Sequence, residues 1–253
     1  REAVWRTEHG TLMQVQNTRL YGDSHAPYVP SLRPVRVAVI VGQSNGNGTE
    51  ADTTYSSVAL ATAHAGLTCT FYHQGVSTAT YSATAVGPVP YLFEKMRSQT
   101  STPTVIRRSI NGAGEVSVRE TQLPCVLTDL AAVGKTRDDV DLVWVVHGEE
   151  DSTTSPLAAA YELDRCERIC QVAEALFNNA FVVVTLLRST VYGAFYAPVR
   201  DGQQVSAAAR GNRRLLDTLL PTPIALTDDV HYTASPTGGF DVATSRMWST
   251  IGL

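Results

Sequence analysis

A chain of 253 residues, 43% of them hydrophobic and with a mean hydropathy of -0.05, carries enough apolar material for one domain with a substantial core. With 20 Lys and Arg against 24 Asp and Glu the net charge is -4, and no dense basic cluster occurs, so nucleic acid and anionic membrane surfaces are disfavoured as partners. No apolar run reaches the ~18 residues of a membrane span, and the opening "REAVWRTEHG" lacks both a signal peptide's apolar stretch and an initiator Met, which suggests a processed chain or a piece of a longer one.

Residues 1–33, with "YGDSHAPYVPSLRP" at their end, show no clear periodic element and are expected to form an extension or linker ahead of a domain spanning 34–253. They contain Gly22-Asp23-Ser24 followed by His25, but no apolar strand leads into Ser24. Pro27 and Pro30 follow where a helix would have to begin, so the stretch reads as a turn.

The first predicted strand, 35–41 "VRVAVIV", runs into Gly42-Gln43-Ser44. A second follows at 67–72 "LTCTFY", then a helix at 89–99 and a strand at 104–110 "TVIRRSI" that leads to Asn111-Gly112. A helical pattern at 117–133 contains a proline break at Pro124. The strand 141–146 "DLVWVV" ends in His147-Gly148-Glu149-Glu150-Asp151, and a long helix covers 157–178. Cys166 and Cys170 are one turn apart there, which suits small apolar residues on a buried face. The last strand is 181–187 "FVVVTLL", followed by a helix at 205–219, the segment "IALTDDVH" and a helix at 239–251. Near-continuous apolar strands alternating with helices predict a three-layer α/β/α sandwich around a mainly parallel, five-stranded sheet.

The four cysteines, Cys69, Cys125, Cys166 and Cys170, are too few and too scattered for a disulfide framework and lack the spacing of a zinc site. The compartment stays open on these residues, with an extracellular or particle-associated setting preferred to the cytoplasm. One glycosylation sequon, Asn47-Gly48-Thr49, lies beside Ser44, where a glycan would block a site.

In open α/β sheets ligands bind outside the carboxyl ends of the strands, which directs attention to the polar residues at those ends. Three readings compete for the glycine-rich turn after the first strand. Gly46 to Ala51 fits a dinucleotide G-x-G-x-x-A pattern, but the pattern starts too late after the strand, and no acid closes the second strand. Gly42-Gln43-Ser44-Asn45-Gly46 fits the G-x-S-x-G elbow of α/β-hydrolases, yet only one convincing strand precedes it to supply an oxyanion loop.

The third reading rests on four blocks in order between residues 35 and 240: "VIVGQSN", "INGAG", "WVVHGEEDS" and "DDVHYTA". With these the chain resembles the SGNH (GDSL-like) hydrolases, and among them the sialate O-acetylesterase-like carbohydrate esterases. The resemblance implies a flavodoxin-like fold and a serine esterase that removes O-acetyl groups from a carbohydrate through an acyl-enzyme, without metal or cofactor. Ser44 then stands as nucleophile, with Asp228 and His231 completing a catalytic triad. The oxyanion hole falls to the Ser44 amide, the Gly112 amide and the side chain of His147, which stands where relatives commonly carry Gln. Gly112 and Gly114 are both eligible for the glycine amide.

The residue types suit that chemistry. A serine hydroxyl needs an imidazole to take its proton, and the imidazole needs a carboxylate to fix its tautomer. Asp228 and His231 are three residues apart, so one turn can present both. Asp229 is the alternative acid, with an exposed loop position as its expected state. Glu149 is expected to hold its own loop by hydrogen bonds to backbone, and Trp144 to pack in the core. The competing class is a catalytically silent carbohydrate-binding or particle-associated structural module that keeps the fold.

Overall fold

The computed structural model describes residues 5–6, 12–13, 34–47, 68–77, 87–188, 195–226, 231–233 and 239–253. The β-branched runs form strands because Val and Ile pack well on a pleated surface. In β3 (Val37–Gly42), Val37, Val39 and Val41 face one helical layer while Ala38 and Ile40 face the other, so both faces of the strand are buried. Parallel to β3 lie β6 (Thr104–Arg107) on one side and β7 (Leu142–Val146) on the other. The order continues outward through β4 (Thr70–His73) and β5 (Val76–Ser77) at one edge, and β8 (Phe181–Thr185) and β9 (Arg213–Leu216) at the other. A separate antiparallel pair, β1 (Trp5–Arg6) and β2 (Leu12–Met13), lies within the first 33 residues.

The sheet therefore has seven strands where the sequence predicted five. Six are parallel, and β5 returns antiparallel beside β4 at the edge. The unpredicted β9 falls inside the expected helix 205–219. There α7 (Tyr196–Ala208) stops before Gly211 and Asn212, and the chain extends along β8. The buried Arg213 guanidinium pairs with Glu174 at 2.8 Å and Glu167 at 2.5 Å, which offsets the cost of taking the charge out of water.

One helical layer is made by the run from α3 (Glu115–Ser117) into α4 (Leu123–Ala132), by α5 (Ser155–Ala160) running into α6 (Cys166–Leu176), and by α7. The other is made by α2 (Val89–Met96) and α8 (Phe240–Thr250), whose Leu92, Phe93, Met247 and Trp248 bury against Ile40 and Trp144. Fully burying a side chain of this kind contributes roughly 1.5–3 kcal/mol. The expected break at Pro124 is instead a π-helical turn, Val118–Gln122, through which the helix continues. That widened turn accommodates a residue that has no N–H and crowds the preceding carbonyls. A second π-helical turn, Tyr161–Arg165, joins α5 to α6. Cys166 and Cys170 are buried as expected. Among the described residues no helix is long and apolar enough to cross a membrane.

From β3 the chain moves outward to β4, comes back to β6, and then crosses to β7 on the far side of β3. This reversal opens a crevice beyond the carboxyl ends of β3, β6 and β7, the place where doubly wound sheets hold their ligands.

Candidate active site

β3 ends at Gly42 with φ +132°, and a Cβ there would lie 1.8 Å from the Val146 carbonyl oxygen, so only glycine lets the chain leave the sheet this close to β7. Gln122, in the π-helical turn, holds the Gly42 peptide from both sides: its Oε1 accepts from the Gly42 N–H at 2.8 Å, and its Nε2 donates to the Gly42 carbonyl at 3.1 Å. Ser44 opens α1 (Ser44–Asn47), buried to 8% exposure, and its amide in the first turn has no intrahelical acceptor.

Two buried amides flank Ser44 and bind the motif loops together. Gln43 donates from Nε2 to the Ala113 carbonyl at 2.7 Å, while its Oε1 accepts from the Gly148 and Glu149 amides at 3.0 and 2.8 Å. Asn45 donates to Glu149 Oε1 at 2.9 Å and accepts the Tyr232 N–H at 2.7 Å. The loops after β3, β6 and β7 and the segment around His231 thus converge on one edge of the sheet. Ser44 and His231 are each one residue from the bond that joins their segments, and His231 is half-buried. Asp228 and Asp229 lie outside the described residues, as do Ser24 and His25.

The Gly112–Gly114 turn projects into open space, since a Cβ at either glycine would meet nothing within 4 Å. Gly112 has φ +65°, whereas Gly114 has an ordinary extended backbone as the residue before α3. Between them, the Ala113 carbonyl takes the Gln43 donor.

His147 has a fully buried side chain stacked on Tyr161, with ring centroids 5.5 Å apart. An oxyanion donor needs a ring N–H directed at the crevice. Here Nε2 is 3.1 Å from the Ala113 carbonyl and 3.4 Å from Asp151 Oδ2, and Nδ1 is 3.3 Å from the Tyr161 hydroxyl. Neutral imidazole has one N–H, and the Ala113 carbonyl is placed to accept it. Gln203, a residue that sequence reasoning passed over, accepts the Leu187 N–H at 2.8 Å and donates to the His147 carbonyl at 2.7 Å.

Glu149 is buried to 9% exposure. One of its oxygens takes the Asn45 donor, and the other has no hydrogen-bond partner among the described residues. The hydrogen bonds to loop backbone expected of Glu149 are made instead by Gln43, which accepts from the Gly148 and Glu149 amides. Burial, then the Glu149 carboxylate, raises the Tyr232 phenol, so it stays neutral beside the site. Trp144 is core, with its Nε1 donating to Thr185 Oγ1 at 2.8 Å. Among the described residues no group of three His, Cys, Asp or Glu is placed to hold a metal ion.

No protein-family model and no curated protein matches the chain. Solved structures do. A protein from Arabidopsis thaliana superposes with a TM-score of 0.65 at 14% identity, over 86% of this chain and 98% of its own. A carbohydrate acetylesterase from Xanthomonas citri gives 0.54 at 14% identity over 84% of this chain, which spans 55% of that protein. A protein from Parabacteroides merdae described as a GDSL-like lipase gives 0.56 at 13% identity, over 88% of this chain and 98% of its own. The fold is that of the SGNH (GDSL-like) hydrolases.

Proposed function

We propose that the chain is a serine esterase that removes O-acetyl groups from a carbohydrate, with Ser44 as nucleophile, His231 as base and Asp228 as the acid that orients it. The observation that carries this reading is the bond from the Tyr232 N–H to Asn45 Oδ1, which tethers the segment bearing His231 beside the turn bearing Ser44. The SGNH fold and an acetylesterase among the similar structures support it.

In this reading Ser44 Oγ attacks the acetyl carbonyl carbon as the His231 imidazole takes the hydroxyl proton. The tetrahedral oxyanion accepts hydrogen bonds from the Ser44 and Gly112 amides. Collapse breaks the bond to the sugar oxygen, which leaves with the proton from His231. Water, deprotonated by His231, then attacks acetyl-Ser44, releasing acetate and restoring the hydroxyl. His147 supports the Gly112–Gly114 turn through Ala113, a different task from the donor role expected from its place in the block.

Turnover of p-nitrophenyl acetate tests the proposal, with Ser44→Ala expected to lose it by several orders of magnitude. A fluorophosphonate should label Ser44 in the wild type. Wild-type turnover in Ser44→Ala, or a serine that does not label, would leave the chain as a silent module with this fold.

A further inference from the structure

A groove of about 370 Å³ opens beside the candidate oxyanion hole, within the ~300–1,000 Å³ range of small-molecule sites. Gly112, Gly114, Val116 and Ser117 line it together with Glu150 and Leu157. Since a Cβ at Gly112 or Gly114 would meet nothing within 4 Å, that part of the lining is bare peptide that a ligand can approach closely.

The charges lining the groove are unequal. Glu115, Glu150 and Asp151 are acidic, and Arg165 alone is basic. Arg165 is committed to Asp151, with Nη1 2.8 Å from Oδ1, and Glu115 is held by Arg119 at 2.6 Å. Glu150 is exposed and has no ion pair among the described residues. Asp151 is almost wholly buried, and its Oδ2 accepts no hydrogen bond among the described residues, with His147 Nε2 at 3.4 Å. A carboxylate oxygen accepts hydrogen bonds only, and a hydroxyl can donate them. With Glu115 and Asp151 paired to Arg119 and Arg165, it is the exposed Glu150 carboxylate that can accept from a ligand hydroxyl and that repels an anionic ligand. Val116, 52% exposed, and Leu157 add apolar surface on which the C–H face of a sugar ring can pack.

From this groove we infer that the site takes O-acetyl groups borne on uncharged oligosaccharides, with the sugar lying along Gly112–Ser117 and Glu150, and that it discriminates against acetylated sugars carrying a carboxylate. The inference rests on the esterase reading of Ser44.

The experiment compares kcat/KM on an acetylated neutral oligosaccharide, an acetylated oligogalacturonate and p-nitrophenyl acetate, at low ionic strength where surface charge is least screened. For the wild type the neutral substrate should exceed the acidic one at least tenfold, and Glu150→Lys should narrow that ratio at least threefold. Val116→Trp should lower kcat/KM on the neutral oligosaccharide at least tenfold more than on p-nitrophenyl acetate. Equal or inverted preference, or an equal loss on both substrates in Val116→Trp, would overturn the inference. If the wild type turns over no ester at all, calorimetric binding of the deacetylated neutral oligosaccharide decides separately. Binding weakened by Val116→Trp keeps the groove as a glycan site while the esterase reading fails, and absence of binding sinks the groove.

Discussion

Asn45 accepts the Tyr232 N–H at 2.7 Å across 187 positions of sequence, and with its other amide atom it donates to Glu149 at 2.9 Å. One buried side chain thus fixes the distance between the segments bearing the candidate nucleophile and base. Asn45→Ala leaves two buried groups unpaired, at a cost of about 1–3 kcal/mol each. The expected Tm loss is ~2–4 °C per kcal/mol for a chain of this size. Turnover should fall on the order of 10²-fold, because a small displacement of His231 spoils the approach to Ser44. Calorimetry and acetate-ester kinetics on the purified variant check both, and an unchanged kcat would show that the tether does not position the base.

Residues 42 to 44 were legible as a strand end carrying a serine, because a glycine needed at a close approach and an apolar strand before it are both local signals. The clasping roles of Gln43, Asn45, Gln122 and Gln203 were not. Each depends on a partner brought near by folding, and a buried amide has the same letters as an exposed one. The same reason hid β9, where Arg213 reads as solvated until Glu167 and Glu174 approach it. The strands β3, β7 and β8 were readable since each is a mainly apolar run buried on both faces, and β6 through its buried Val105 and Ile106. Val76–Ser77 is only two residues long, below any periodic signal.

The acid is tested by its neighbour. If Asp228 orients His231, Asp228→Asn should lower kcat by up to about 10⁴-fold through the wrong tautomer, while Asp229→Asn should do little. Steady-state kinetics on both variants decide, and the reverse ranking would move the role to Asp229. Small losses at both positions would reduce the triad to a dyad of Ser44 and His231.

His73 predicts a pH dependence of stability away from the crevice. Burial, then the Arg107 guanidinium whose Nε donates to His73 Nδ1 at 3.1 Å, pulls the imidazole down from 6.5 to about 4. Arg108 acts in the same direction, and Phe71 stacks on the ring. The unfolded chain takes up the proton below about 6.5, and the folded chain only below about 4. This contribution to stability is therefore complete above the upper value and is lost as pH falls through the window between them. His73→Gln should flatten the fall in Tm between pH 6.5 and pH 4 relative to the wild type. Parallel Tm curves for the two proteins would contradict it.

His147 carries the sharpest test, because its place in the block and its place in the fold suggest different roles. The ring stacks on Tyr161 and meets the Ala113 carbonyl between the two candidate oxyanion glycines. His147→Ala removes that contact and opens a cavity beside Tyr161, a loss of roughly 2–5 kcal/mol for a large buried side chain. With the ring in this place, Tm and turnover should fall together, as the Gly112 amide loses its support. His147→Gln can still donate to the Ala113 carbonyl and should keep kcat within about threefold, with a smaller drop in Tm from the lost stacking. A direct oxyanion donor would behave otherwise: His147→Ala would lose about 10²–10³ in kcat at an unchanged Tm. Thermal denaturation and kcat measured on the same preparation separate these outcomes, and activity lost without stability would return His147 to the oxyanion hole.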